Sequence, residues 1–222
     1  MSKTYQLNLA AIEESLRQTQ KGFSHINDSL AMRREPIADI IIDNMLLGYS
    51  YVNDLLKNKI NIVSESNKGQ LLELNQIVLC GCDDRVRYEF SEHMRQTAIR
   101  FYNQEDCNID HIVKWNKKNK SKSPWRRAAS TYVYMISRPQ LFFEGNHRTG
   151  ALMMSNVLAL EGYPPFVLSI NNAKAYFDPS TLAKLTHKSL FTTLYKLPKI
   201  TKHFAQFLED QAESRYLNKV KT

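Results

Sequence analysis

Gln140-Leu141-Phe142-Phe143-Glu144-Gly145-Asn146-His147-Arg148-Thr149-Gly150 is a loop that turns into a helix partway through its length. The apolar pattern from Asn146 to Leu160 is helical, and Gly162 followed by Pro164-Pro165 closes it. On the other side, Ala128 to Ile136 reads as a helix broken around Pro139. The segment is therefore a helix–loop–helix unit, and the chain on both sides repeats the helical pattern.

Upstream, Leu9, Ile12, Leu16, Thr19, Phe23, Ile26 and Leu30 step by threes and fours, which predicts one amphipathic helix of about three heptads. Docking on the main body and a homodimer seam are its two readings. Pro36 suits a first helical position, and Ile37 to Leu55 carries a broad apolar face. Leu71 to Leu79, stopped near Gly81, predicts another buried helix, with two more over 90–102 and 109–115. Asp83-Asp84 reads as a helix cap, and 117–124 as a solvated basic loop. Tyr132 and Tyr134 read as packing residues. Phe166-Val167-Leu168 is the one tempting strand, and Ala183–Leu197 and Ile200–Leu217 are expected as the last helices. The fold class is all-α, a bundle of about eight helices.

Composition agrees. Seven Gly and seven Pro in 222 residues are about half the usual share, which argues against turn-rich sandwiches and barrels. A chain of this length can bury a core without disulfide or metal staples. Three cysteines, Cys80, Cys82 and Cys107, fit a reducing compartment, and Cys80-x-Cys82 lacks a second ligand pair for zinc. The N-terminus has no apolar signal core, and no segment is long and apolar enough to span a bilayer, so the expected location is cytoplasmic, with no membrane partner. Thirty Lys+Arg against 22 Asp+Glu give a net charge of +8. That charge tolerates polyanions without choosing among them.

Within the opening loop the residue types select an anion. Backbone N–H groups at a helix start lack intrahelical acceptors, and the helix dipole is positive there. Gly145 permits close backbone approach or a left-handed turn. Asn146 and Arg148 add donors, so main chain and side chains together can hold a polyphosphate. Glu144 can hold a magnesium ion bridging those phosphates. The same residues also read as an ordinary helix start, with Asn146 as cap, Glu144 exposed and Arg148 in a surface ion pair.

The loop resembles the signature of the Fic/Doc family, His-x-Phe-x-(Asp/Glu)-Gly-Asn-Gly-Arg-x-x-Arg. Glu144-Gly145-Asn146 align, Phe142 falls on the family Phe and Arg148 on the first Arg. Leu71 to Asn75 with Ile77, Trp125 to Ala129, Gly162 to Pro165 and Ala173 to Phe177 extend the likeness to roughly residues 36–200. The resemblance implies a Fic-like helical bundle over 36–200, with an N-terminal helical extension over 1–35 and a C-terminal helix over 201–222. It implies binding of ATP or another nucleoside triphosphate through Gly145, Asn146, His147 and Arg148. Glu144 becomes the Mg2+ ligand and Phe142 the anchor of the loop. In the family the initial His deprotonates a protein hydroxyl that attacks the α-phosphorus, so the implied partner is a protein target with a hydroxyl side chain.

This chain departs from the pattern at three positions. The family base falls on Gln140, whose carboxamide has no useful basicity. His147 stands at the second Gly, where the Doc branch has Lys and transfers a phosphate, and Ala151 stands at the final Arg. His147 is then the one local proton acceptor, placed with Gln140 at the catalytic positions. The family's autoinhibitory motif is not matched, since Ser24 to Ser29 has the wrong acid and follower. Two functions stay open: nucleotidyl (AMP) transfer with a degenerate motif, or a non-catalytic nucleotide-sensing or interaction module. A nucleic-acid partner through the basic loop is the least favoured.

Overall fold

The helical periodicity is realised almost throughout. In the computed structural model, which describes residues 4–220, eleven α-helices form among the described residues. They are α1 (Leu9–Lys21), α2 (Phe23–Ser29), α3 (Asp39–Lys57), α4 (Lys68–Cys80), α5 (Asp84–Glu89) and α6 (Ser91–Asn103), then α7 (Ile109–Lys118), α8 (Pro124–Ile136), α9 (Asn146–Ala159), α10 (Ala173–Leu185) and α11 (Leu197–Asp210). The all-α class holds, and the additional helices are mostly short.

Several starts follow local capping chemistry. Asp83 caps α5 by accepting from the Arg85 and Val86 amides. Asn108 and His111 form a reciprocal capping pair on α7. Ser123 caps α8 with Pro124 at its first position.

From Thr149 to Ala159 every residue of α9 is buried, which makes it the central helix. It packs against α8, α3 and α4, and α8 is covered on its other side by α11. Gly150 lets α8 and α9 close up, because a Cβ there would stand 2.5 Å from the Tyr132 ring.

Several expectations need correction, among them the start of α8, which lies at Pro124 inside the stretch read as a basic loop rather than at Ala128. The three-heptad N-terminal helix is two helices, broken at Gly22, although the apolar stripe continues through Phe23 and Ile26. Pro36 precedes the helix rather than opening it, since α3 starts at Asp39. Ala183–Leu197 is interrupted: α10 ends at Leu185, and residues 186–188 run extended beside Arg138, with Arg138 N donating to Thr186 O and Lys188 N to Arg138 O. A π-helical turn over Thr192–Lys196 then leads into α11.

Helix α11 stops at Asp210, and the chain beyond forms β2 (Leu217–Val220), antiparallel to β1 (Thr4–Leu7) with Leu7 opposite Leu217. This ribbon ties the two ends of the chain together, and Asn53 Oδ1 accepts from the Leu7 amide to fix it on α3. Phe166–Leu168 forms no strand. No described helix is long and apolar enough to cross a membrane.

Candidate functional site

Gly145 is the residue before α9, with φ +71°, the left-handed conformation that glycine adopts without strain. A Cβ there would lie 2.8 Å from Asn75 Nδ2. Asn75, fully buried on α4, donates from that nitrogen to Glu144 O and Thr149 Oγ1, both at 3.0 Å. The turn is thereby locked onto α4. Along α9 the amide of Thr149 is the first to find a helical acceptor, Gly145 O, so the preceding amides open toward the loop side.

Asn146 is buried and faces inward. Its Oδ1 accepts from Phe142 N at 3.0 Å and its Nδ2 donates to Phe142 O at 2.8 Å. The side chain expected to bind phosphate instead closes the loop, and what Asn146 can offer a ligand is its main-chain N–H. Phe142 is buried, stacked on Phe101 with centroids 5.4 Å apart.

Arg148 makes no surface ion pair. Its Nη1 donates to Val78 O at 2.8 Å, leaving the rest of the fork free. Burial pushes its pKa down and Glu144 pulls it back up. Glu144 itself is exposed at the lip.

Gln140 donates from Nε2 to Ile136 O at 2.9 Å, and Arg100 donates to its main-chain O at 2.6 Å. The carboxamide is fixed at the end of α8 and supplies no base. Beneath it Lys188 donates to Ser137 O at 2.6 Å and also to Pro139 O, in the segment that carries the cis Arg138–Pro139 bond.

His147 turns toward α8 and α10. Its Nδ1 lies 2.9 Å from Tyr132 Oη, which also contacts Tyr176 Oη at 3.0 Å and Ser180 Oγ at 2.8 Å. Its Nε2 is enclosed without a partner. Burial pushes this imidazole down to about 3, helped by Arg34 and Lys184, so it is neutral near pH 7 and a weak base.

These residues meet at one pocket of about 700 Å³. Gln140, Glu144, Gly145, Asn146, His147 and Arg148 all line it, and its inner wall is apolar, with Ile42, Met45, Phe166 and Phe177. Arg33, Arg34, Arg138 and Lys184 add charge from outside the loop. Arg33 pairs with Asp28. Among the described residues, no carboxylate lies within 4.0 Å of the nitrogens of Arg34, Arg138, Arg148 or Lys184. Sequence reading missed Asn75, Arg34 and Lys184. Only Asn75, polar in the apolar run Leu71 to Leu79, carried a signal.

The fold and the pocket define a helical protein whose central helix begins at a cavity of about 700 Å³ lined by more cationic than acidic side chains. No family model and no curated protein matches the chain. Two solved structures of Fic-1 from C. elegans, one with a point substitution, are similar to it at 18% identity, with TM-scores of 0.45 and 0.44. The match covers 91% of this chain and 59% of those chains, so this chain spans about three fifths of their length.

Proposed function

We propose that the protein is a Fic-like nucleotide-binding module that holds a nucleoside triphosphate, ATP in the first instance, with Mg2+ at the start of α9. The observation that carries this reading is the set of four cations without carboxylate partners around a pocket into which Gly145 and Arg148 open. Arg34 and Arg148 are half-buried and Arg138 and Lys184 exposed, so with Glu35 and Glu144 also on the lining the pocket keeps a positive balance that favours an anion.

The donor set suits a phosphate chain: first-turn amides, the free side of the Arg148 guanidinium, and apolar surface for a nucleoside. Magnesium fits only with the ligand, because no cluster of three or more His, Cys, Asp or Glu side chains occurs among the described residues. Glu144 would supply the single carboxylate and the phosphates the rest, a usual arrangement for this ion, which when bound neutralises and orients the phosphates.

Turnover by a side-chain base is not part of the reading. Gln140 is a hydrogen-bonded carboxamide, and His147 has its basicity suppressed by burial and is turned into the α8–α10 wall, so neither is suited to accept a proton from a target hydroxyl near pH 7.

Calorimetry with Mg-ATP should show binding that Arg148→Ala weakens at least tenfold, about the worth of one charge-assisted contact. Wild-type binding unaffected by Arg148→Ala would place the nucleotide elsewhere. Incubation with α-labelled or γ-labelled ATP should leave the protein and lysate proteins unlabelled; transfer of either label would establish a transferase.

A further inference from the structure

The first turn of α9 divides the pocket. Successive helical residues diverge by about 100°, so His147 and Arg148 leave it in different directions. Arg148 goes toward α4, where Val78 O holds it. His147 goes toward α8 and α10, where Tyr132 meets it. On this second side stand Arg34 and Lys184, neither of which belongs to the loop.

Arg34 lies in the extended segment between α2 and α3, and its position is fixed in advance. Asn27 brackets its main chain, donating to Arg34 O at 2.7 Å and accepting from Arg34 N at 2.8 Å. The guanidinium sits 4.4 Å over the Phe177 ring, and Nη2 donates to Thr181 Oγ1 at 2.9 Å. These contacts orient the charge without neutralising it, and Nε is enclosed with no acceptor. Lys184, one turn beyond Thr181 on α10, is exposed and makes no ion pair. Both cations act on His147.

The hydrogen-bond network adds an orphan. Tyr176 Oη gives its hydrogen to His147 O, and Ser180 Oγ gives its own to Tyr176 O. Tyr132 can therefore donate to either of those hydroxyls while His147 Nδ1–H donates to Tyr132, which leaves Nε2 as a buried acceptor with nothing to accept. An unprotonated Nε2 offers nothing to a phosphate, so the anion argument on this side rests on Arg34 and Lys184.

We propose that Arg34 and Lys184 form a second anion arm, which makes the pocket selective for a chain of phosphates over a single phosphate. One phosphoryl group rests on the α9 start and Arg148, and another reaches across to Arg34 and Lys184. The arm rests on the nucleotide reading above and adds residues that set specificity. Preorganisation of Arg34 by Asn27, Phe177 and Thr181 means that little side-chain freedom is lost when the ligand binds.

The test is calorimetry on the full chain with Mg-ATP, Mg-ADP, AMP and magnesium tripolyphosphate. Wild type should bind ATP more tightly than ADP, and ADP more tightly than AMP. Arg34→Gln and Lys184→Gln should each weaken Mg-ATP by about tenfold and leave AMP within about twofold, and Arg34→Lys should recover part of the loss. Should Arg34→Gln fail to fold, Lys184→Gln decides, because that side chain is exposed and holds nothing together. If both variants bind Mg-ATP as wild type does, the arm is wrong while the α9 site stands. If wild type binds none of the four ligands, or Arg148→Ala leaves binding intact, the α9 site fails and the arm with it.

Discussion

Gly145→Ala tests whether the turn before α9 is built as described. An L side chain at φ +71° costs about 1–2 kcal/mol. The new Cβ would also stand 2.8 Å from Asn75 Nδ2, which bridges Glu144 O and Thr149 Oγ1. Asn75 is fully buried on α4 and cannot retreat, so one of those bonds must loosen, at about 1–2 kcal/mol. Alanine returns about 0.4–1 kcal/mol by restricting the unfolded chain. The net loss is roughly 2–3 kcal/mol, which for a chain of 222 residues lowers Tm by about 5–10 °C. Thermal and urea melts of Gly145→Ala, Asn75→Ala and the double variant check both parts. In the Asn75→Ala background the clash is gone and only the backbone cost should remain, near 1 kcal/mol. A Tm drop below about 2 °C in the single variant, or an equal cost in both backgrounds, would refute the geometry.

Three further outcomes are expected. The folded-state pKa of His147, near 3, lies below the unfolded value of about 6.5, so the unfolded chain binds the extra proton between those limits. Stability from this group is complete above pH 6.5 and falls as pH drops toward 3, by up to about 2 kcal/mol at pH 5; urea midpoints of His147→Gln should lose less over that interval, and an identical slope would exclude His147 as the source. Lys188→Met should destabilise by about 1–3 kcal/mol, because it strips the donor from Ser137 O and Pro139 O beneath Gln140, and a melt unchanged from wild type would contradict that role. Gln140→His should introduce self-labelling from α-labelled ATP if the missing base is the only block, and continued silence would move the defect to His147 or Ala151.

The helices were legible where capping and periodicity agree, as at Asp83 and in the run from Asn146 to its stop at Gly162, whereas the Ser123-Pro124 start of α8 was absorbed into the basic loop. Gly22 was passed over because a single glycine is a weak breaker and the apolar stripe keeps its spacing across it. The β1–β2 ribbon could not be read, since each strand has four residues and the partners come from opposite ends of the chain. Helix α11 was drawn too long because Gln211 to Ser214 contains no strong stop; the helix expected over Ala183–Leu197 left out most of α10 and ran through residues 186–188, whose pairing with Arg138 is tertiary. In the site, Glu144, Gly145 and Arg148 were legible as neighbours. Arg34 and Lys184 reach the pocket only through packing.

The inward turn of Asn146 follows a device used throughout this chain. A carboxamide carries a donor and an acceptor a fixed distance apart, so one side chain can bind a main-chain N–H and a nearby C=O together. Asn27 does so at Arg34, Asn146 at Phe142, Asn156 at Ile62 N and Ile60 O, and Asn172 at Ser169 N and Val167 O. Each clamp fixes a connection between helices where other proteins rely on Gly and Pro turn chemistry. In a chain with only seven Gly and seven Pro, these four asparagines, three of them buried, hold connections that turn residues would otherwise shape. Asn146 is one of these clamps placed at the mouth of the pocket: it shapes the loop that carries Gly145 and Arg148, and it leaves the first-turn amides of α9 without a side-chain cap.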